Sequence, residues 1–286
     1  MNKELEKKIG QAVKLLQVCF KAAGEPLEIA YSGGKDSDVI LELAKMSGIE
    51  YRAIYKNTTI DPPGTIKHVI DNGVEIRRPE ETFFSLMMKK GYPNRFRRFC
   101  CSVLKEYKIL DNCVIGIRKC ESVKRSKRYS EPTGCRIYGN NKKKHVNAIY
   151  PILDWSNEHE LLFIEARGLK LHPLYYREDG KIDLAKRLGC MCCPLVYFKK
   201  RLQEFKKYPG MVKAYLRCGN EFLRSHPESK VADQYSDVYE YFVANAFFDH
   251  HRDYIKAKLG RGIFTESTDY KKLIEDYFSL KLTNLD

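Results

Sequence analysis

The stretch that decides the fold is IAYSGGKDSDVI, residues 29–40. The apolar residues before it complete a short buried strand, and the residues after it have the three- and four-residue spacing of an amphipathic helix. A second apolar strand begins at Tyr51. A strand, a glycine-rich turn, a helix and another strand make up a βαβ unit, which requires parallel strands. The sequence therefore predicts an α/β fold with a mostly parallel sheet flanked by helices.

The turn itself, SGGKDS, has the composition of a phosphate cradle. Its glycines allow the backbone to approach a phosphate, and the start of the following helix supplies positive potential. Lys35 adds a full positive charge, the two serines add hydroxyl donors, and Asp36 either holds Mg²⁺ or orients the loop. The Walker A pattern does not fit, because an aspartate follows the lysine. A purely structural Ser/Gly turn is the alternative. The predicted nucleotide-binding residues of the loop are Ser32, Gly33, Gly34, Lys35, Asp36 and Ser37.

SGGKDS resembles the PP-loop of the N-type ATP pyrophosphatases, enzymes that split ATP into AMP and pyrophosphate while adenylating a substrate. The resemblance implies that the loop holds the pyrophosphate of ATP. Five further motifs follow in order, RRFCCSVLKEYK, GIRKCESVKR, PILDWS, HPLYYREDG and LGCMCCP. Together they resemble the phosphoadenosine phosphosulfate reductase family across residues 27–195, in particular its phage and bacterial members and the DNA phosphorothioation sulfurtransferases.

The chain has ten cysteines, and several are clustered. In a reducing compartment clustered thiols more often bind metal or do chemistry than form disulfides. Cys100 and Cys101, with the CxxC pair of Cys190 and Cys193, form a set that can hold a [4Fe–4S] cluster or Zn²⁺. Similarity to the cluster-bearing adenylyl-sulfate reductases favours iron–sulfur, with zinc or no metal as alternatives. Cys192 is an extra ligand, a persulfide carrier or a packing residue.

Lys35 and Arg118 are the two candidate catalytic residues. Arginines beside a nucleotide neutralise phosphate or sulfate bidentately. The family resemblance implies an active-site role for Arg118, with Glu121 and Arg125 near the nucleotide. The alternative is a solvent-exposed ion pair between Glu121 and Arg125 at helical spacing.

Thr58 and Asp61 follow the second predicted strand. Ligands bind at the open end of a parallel sheet, so these residues are candidates for contact with ribose or adenine. A plain turn is the alternative.

The chain is predicted to divide into an α/β domain over residues 1–197 and a helical region over 198–286. Residues 122–149 are basic and too polar for a core, and we expect a long loop over the edge of the sheet. The formal net charge of +14 favours a polyanionic partner such as DNA or RNA, although a solubilising surface would look the same.

The beginning of the chain lacks the apolar segment of a secretory signal, and no stretch approaches the ~20 apolar residues that span a bilayer. We therefore expect a cytoplasmic protein with no membrane association.

The predicted function is ATP-dependent adenylation of an acceptor, with a nucleic acid as one candidate, followed by sulfur transfer and release of AMP and pyrophosphate. Mg²⁺ would accompany the ATP, and a cysteine desulfurase would be a sulfur partner. The chain departs from the reductases, whose attacking cysteine lies near the C-terminus, because no cysteine follows Cys218. One alternative is a thioredoxin-dependent reductase of adenylyl sulfate or its 3′-phosphate, using Cys135 or Cys192. Another is a non-catalytic, metal-stapled nucleic-acid-binding module.

Overall fold

The computed structural model describes residues 3–138, 144–260 and 268–282. The chain forms two compact units, each built from several chain segments. The first comprises residues 1–57, 61–79 and 105–189, and the second comprises residues 58–60, 80–104 and 190–286. Residues 80–104 and 190–197, which precede the predicted boundary at 197/198, thus belong to the second unit.

The first unit is built on a six-stranded sheet with the strand order β3-β2-β1-β4-β6-β5. All neighbouring strands are parallel except β5, which runs antiparallel to β6. This confirms the predicted mostly parallel α/β fold. The strands are β1 (Leu27–Tyr31), β2 (Tyr51–Lys56), β3 (Glu75–Arg77), β4 (Asn112–Val114), β5 (Thr133–Tyr138) and β6 (Lys144–Ile149).

Helices cover the sheet of the first unit, and α1, α2 and α7 pack against one another. Their apolar faces and the central strands share one buried core, in which Leu16, Ile29 and Phe163 are fully buried. A side-chain cap begins α7, because the Ser156 hydroxyl accepts a hydrogen bond from the amide of His159 at 3.2 Å. The helices of this unit are α1 (Lys3–Ala23), α2 (Lys35–Ser47), α3 (Thr65–Asp71), α6 (Val123–Arg128) and α7 (Asn157–Arg167).

The second unit is helical, as predicted for the C-terminal part of the chain, and its core is rich in aromatic side chains. Tyr92 stacks on Tyr241 with ring centroids 4.2 Å apart, and Phe205 and Phe242 are fully buried beside them. The helices are α4 (Phe83–Lys90), α5 (Phe99–Leu104), α8 (Phe198–Lys207), α9 (Pro209–Ser225), α10 (Val238–Ala246), α11 (His251–Leu259) and α12 (Tyr270–Phe278). Among the described residues, no helix is both long enough and apolar enough to cross a membrane.

The expectation of a long loop over residues 122–149 is wrong. The segment forms α6 and the antiparallel pair β5–β6, while residues 139–143 lie outside the described residues. Most residues of β5 are exposed, and β6 buries only Val146, Ala148 and Ile149. An edge strand that is solvated on most of its surface carries almost no apolar pattern, so composition alone resembled a loop.

Candidate functional site

The SGGKDS loop connects β1 to α2 with a backbone that requires glycine. Gly33 has a φ of 75°, in the left-handed region that side chains rarely adopt. The Ser37 hydroxyl donates to the Gly34 carbonyl at 2.6 Å, and the amides of Ser37 and Asp38 donate to the same oxygen. These bonds from Ser37 and Asp38 to one oxygen of Gly34 close the first turn of α2 directly onto the glycine turn.

The loop backbone also lies very close to Gly116, which follows β4. A Cβ atom on Gly116 would lie 2.9 Å from the carbonyl oxygen of Asp36 and 3.0 Å from its carbonyl carbon. A contact this short to backbone cannot be relieved by rotating a side chain. Only glycine at position 116 leaves room for this path of the loop.

Asp36 joins the two candidate catalytic cations. One carboxylate oxygen lies 2.7 Å from Lys35 Nζ and the other 2.6 Å from Arg118 Nε. Burial alone would raise the pKa of Asp36, but Lys35 and Arg118 hold the pKa below its usual value. Since both oxygens already bind cations, the geometry favours the orienting role of Asp36 over a role in holding Mg²⁺.

Glu160 of α7 is a fourth member of this charged cluster, and the sequence analysis missed it. Its side chain is fully buried, with Oε2 2.8 Å from Arg118 Nη2 and 3.2 Å from Lys35 Nζ. Both contacts are ion pairs, and neither has the geometry of a hydrogen bond to Oε2. Burial and the negative charge of Asp36 raise the pKa of Glu160 to about 7, although Lys35 and Arg118 oppose the shift. Glu160 is one of three acids in NEHELLFIEAR, so nothing in the pattern marked it as buried.

Arg118 is held from both its backbone and its side chain. Its amide donates to Glu121 Oε2 at 3.2 Å, and its Nη1 donates to Asn157 Oδ1 at 2.9 Å. Glu121 also pairs with Arg125, the alternative expected from their spacing, and with Arg187 at 2.8 Å. Glu121 and Arg125 are thus neighbours of the cluster, where Glu121 fixes the backbone of Arg118.

A buried polar network lies behind the loop. Asp38 accepts hydrogen bonds from the Tyr31 hydroxyl and lies 3.0 Å from His68 Nε2. Burial raises the pKa of Asp38, while His68 and Tyr31 oppose the shift. A Cβ atom on Gly33 would lie 3.9 Å from the His68 ring. The network therefore supports the loop from the side of α3.

Thr58 and Asp61 belong to different units. Asp61 is in the first unit, where it accepts a hydrogen bond from the Tyr55 hydroxyl at 2.5 Å. Thr58 is buried in the second unit, where the Cys190 thiol donates to its hydroxyl at 3.4 Å. The predicted contact of these two residues with ribose or adenine stays a prediction.

The four candidate metal-binding cysteines all lie in the second unit. A hydrogen bond with Cys101, burial, and the charges of Cys101, Cys193 and Cys190 raise the pKa of Cys100, so the four thiols influence one another. Nevertheless, within residues 3–138, 144–260 and 268–282 no three Cys, His, Asp or Glu side chains are arranged to hold a metal ion. Four thiols suit a soft metal chemically, but in this structure these four are not arranged as a metal-binding site.

Cys192 is fully buried, which favours the packing role among the three alternatives for this residue. Its amide donates to Glu204 at 2.8 Å, its carbonyl accepts from the Tyr215 hydroxyl at 3.2 Å, and burial raises the pKa of its thiol. The loop that follows is held by Arg201, whose guanidinium donates to the carbonyl oxygens of Pro194 at 2.9 Å and Phe248 at 2.7 Å.

The class of protein follows from a comparison with known families. The model of the phosphoadenosine phosphosulfate reductase domain matches residues 26–196, more than half of the chain. The chain belongs to this family. The match covers the sheet, the SGGKDS loop and the segment with Cys190 and Cys193.

Curated relatives do not narrow the function further. Two uncharacterized proteins of Methanocaldococcus jannaschii are 28% and 27% identical to this chain. The alignments cover 75% and 73% of this chain but 46% and 51% of the relatives. The chain thus spans about half the length of the curated relatives it matches.

Two enzymes, an adenylyltransferase and a reductase, are among the solved structures that this chain partly resembles. Candida glabrata FMN adenylyltransferase, in complex with FAD and inorganic pyrophosphate, is 15% identical, with a TM-score of 0.43 and coverage of 60% of each chain. Candida auris phosphoadenylyl-sulfate reductase, in a phosphate complex, is 15% identical, with a TM-score of 0.42 and coverage of 66% of this chain and 96% of that chain.

We predict that Gly116→Ala weakens nucleotide binding about tenfold, because the added methyl group displaces the backbone of Asp36, and an overpacked site costs about 1–3 kcal/mol. Gly189→Ala is the matched control, since a Cβ atom there meets nothing within 4 Å. Calorimetric titration of both variants with nucleotide checks the prediction. Equal affinity of the two variants would show that the close approach of Gly116 does not shape the loop.

Proposed function

We propose that this protein binds Mg-ATP with the pyrophosphate on residues 32–37, and adenylates an acceptor that then receives sulfur. The observation that carries the proposal is the contact of Asp36, at the start of α2, with both Lys35 and Arg118. The SGGKDS loop also retains its lysine and both serines. Two oriented cations beside a glycine turn suit the β and γ phosphates of ATP.

The reaction would proceed in two displacements, followed by a reduction. An oxygen of the acceptor attacks the α-phosphorus of ATP, and pyrophosphate leaves. The terminal sulfur of a persulfide, delivered by a partner such as a cysteine desulfurase, then attacks the carbon or phosphorus that bears the adenylated oxygen. AMP leaves, and the acceptor stays joined to the carrier through an S–S bond. A thiol reductant attacks the carrier's sulfur and breaks this bond, which leaves the transferred sulfur on the acceptor as a thiol and the carrier as a mixed disulfide. Lys35 and Arg118 would neutralise the charge that develops on the departing pyrophosphate, and Asp36 would keep both cations in place. Mg²⁺ would enter with ATP and shield its phosphates.

We predict that Lys35→Ala lowers acceptor-dependent pyrophosphate release about 100-fold or more, the effect of removing one oriented charge donor from a transition state. Lys45→Ala is the matched control on the same helix, because the Lys45 side chain is half exposed and lies 4.0 Å from Glu42. A coupled assay for pyrophosphate measures both variants. Full pyrophosphate release by Lys35→Ala would contradict the proposal.

The family membership also keeps a reductase as the second candidate function. Calorimetric titration with Mg-ATP, adenylyl sulfate and its 3′-phosphate distinguishes the two. Tight binding of a phosphosulfate with weak binding of ATP, together with thioredoxin-dependent sulfite release, would establish a reductase.

We propose that four thiols hold a [4Fe–4S] cluster, with Zn²⁺ as the alternative. They belong to Cys100, Cys101, Cys190 and Cys193. Support comes from the effect of the other three thiols on Cys100 and from the chemistry of four sulfur donors. A bound cluster would supply a soft site for sulfur or would stabilise the second unit.

We predict that protein purified without oxygen contains about four iron and four acid-labile sulfide atoms per chain, the content of one such cluster. Cys193→Ser is expected to lose most of this iron, whereas Cys19→Ser, a thiol of α1, is the control that keeps it. Iron, zinc and sulfide analyses measure the outcome. One zinc without iron would establish the alternative, and no metal in wild-type protein would contradict both.

A nucleic acid is the proposed acceptor. The net charge of +14 supports it, as does α6, which exposes Lys124, Lys127 and Arg128 on one short helix. Cations that contact phosphates release counterions, so their removal lowers the salt dependence of binding.

We predict that replacing Lys124, Lys127 and Arg128 with alanine lowers the slope of log affinity against log salt by about 2 to 3, at ~0.7–0.9 per phosphate contact. Alanine at Lys3, Lys7 and Lys14, exposed residues of α1, is the control with the same loss of charge. Fluorescence anisotropy with labelled DNA and RNA over a range of salt provides the slopes. Identical slopes for the two triple variants would exclude α6 as the contact surface.

A further inference from the structure

With Glu160 ionised, the charged cluster at the loop has no net charge before any ligand binds. Lys35 and Arg118 contribute two positive charges, and Asp36 and Glu160 contribute two negative ones. Glu160 is fully buried, and its Oε2 contacts both cations. Placing a phosphate against the same cations adds uncompensated negative charge to a buried site, which is costly. A ligand phosphate therefore interacts best with these cations when one resident negative charge is removed or neutralised.

Glu160 is better suited than Asp36 to give up its charge. Asp36 keeps a lowered pKa, because Lys35 and Arg118 each contact one of its oxygens. Glu160 has a pKa raised to about 7 by burial and by Asp36, and its Oε2 has no aligned hydrogen bond among the described residues. A phosphate beside Glu160 would raise this pKa further, since like charges disfavour the ionised form.

We propose that Glu160 competes with the nucleotide phosphates for Lys35 and Arg118, and that nucleotide binding proceeds with uptake of one proton from solvent onto its carboxylate. The inference rests on the proposed function to the extent that the loop binds phosphate or sulfate groups. It makes Glu160 a positioning residue that holds both cations in the nucleotide-free protein and releases them to the ligand.

The other charged groups around α7 are paired elsewhere. Glu4 of α1 lies 3.0 Å from His159, and Glu42 of α2 lies 2.6 Å from Arg167. The Cys120 thiol lies 3.2 Å from Nη1 of Arg118, on the side of the guanidinium that faces Asn157. Lys35, Asp36 and Arg118 are the charged groups that act directly on Glu160.

The coupling has a defined sign. Below about pH 7 Glu160 carries its proton and no longer competes for Lys35 and Arg118, so the affinity for the ligand is high. As the pH rises above 7, each binding event must first take up a proton, and affinity falls by up to tenfold per pH unit. Ionisation of Glu160 therefore weakens ligand binding in alkaline solution and not in acid.

The test is calorimetric titration with Mg-ATP and, separately, with adenylyl sulfate, a ligand with no group that titrates between pH 6 and 9. Repeating each titration at pH 8 in buffers of different ionisation enthalpy counts the protons. We expect uptake of close to one proton by the wild-type protein. We expect Glu160→Gln to take up none, to bind about tenfold more tightly at pH 8 and to show a flat pH profile. Glu158→Gln, an exposed residue of the same helix, is the control that behaves as wild type.

The outcomes separate this inference from the proposed function. Proton uptake with adenylyl sulfate but no binding of Mg-ATP would overturn ATP as the substrate and leave the role of Glu160 intact. Binding of Mg-ATP by the wild-type protein without proton uptake would overturn the role of Glu160 and leave ATP as the substrate. Weaker binding by Glu160→Gln with an unchanged pH profile would show that Glu160 only supports Arg118. Binding of neither ligand would overturn both. The proton count on wild-type protein decides the question even if the variant does not fold.

Discussion

The arrangement of the candidate site depends on one carboxylate, that of Asp36, held between two cations. Lys35 precedes Asp36 in the chain, whereas Arg118 follows a different strand of the sheet, β4. The double ion pair therefore ties the loop after β1 to the segment after β4. The close approach of Gly116 to the Asp36 backbone makes the same connection through packing. Buried charges held this way are positioned before a ligand arrives, which lowers the cost of ordering them later.

Local patterns were sufficient to predict the centre of the fold from the sequence. β1, α2 and β2 each carry a clear apolar pattern, and the glycine turn between the first two marks the boundary between strand and helix. Parallel pairing of β1 with β2 follows from that unit. β5 and its antiparallel pairing with β6 could not be predicted, because pairing with a neighbour, not burial, determines β5.

The candidate site was predictable only in the parts that motifs mark. The loop stands out by its residue types and Arg118 by the family resemblance of its motif, and the structure brings them together. Glu160 lies 125 positions from Lys35 along the chain, and its burial depends on the packing of α7 against α2. No local pattern carries that information. The placement of Thr58 beside Cys190, and of Cys192 within an aromatic core, depends equally on contacts between distant segments.

The second unit is assembled from segments that are far apart in the chain, and this sets an order on its formation during synthesis. Cys100 and Cys101 leave the ribosome 89 residues before Cys190, counted from position 101 to position 190. At ~5–20 residues per second, that interval lasts roughly 4 to 18 s. During this time α4 and α5 exist without α8 and α9, whose side chains complete their core. The core around α4 and α5 can therefore close only after the CMCC segment and the helices that follow it have been made.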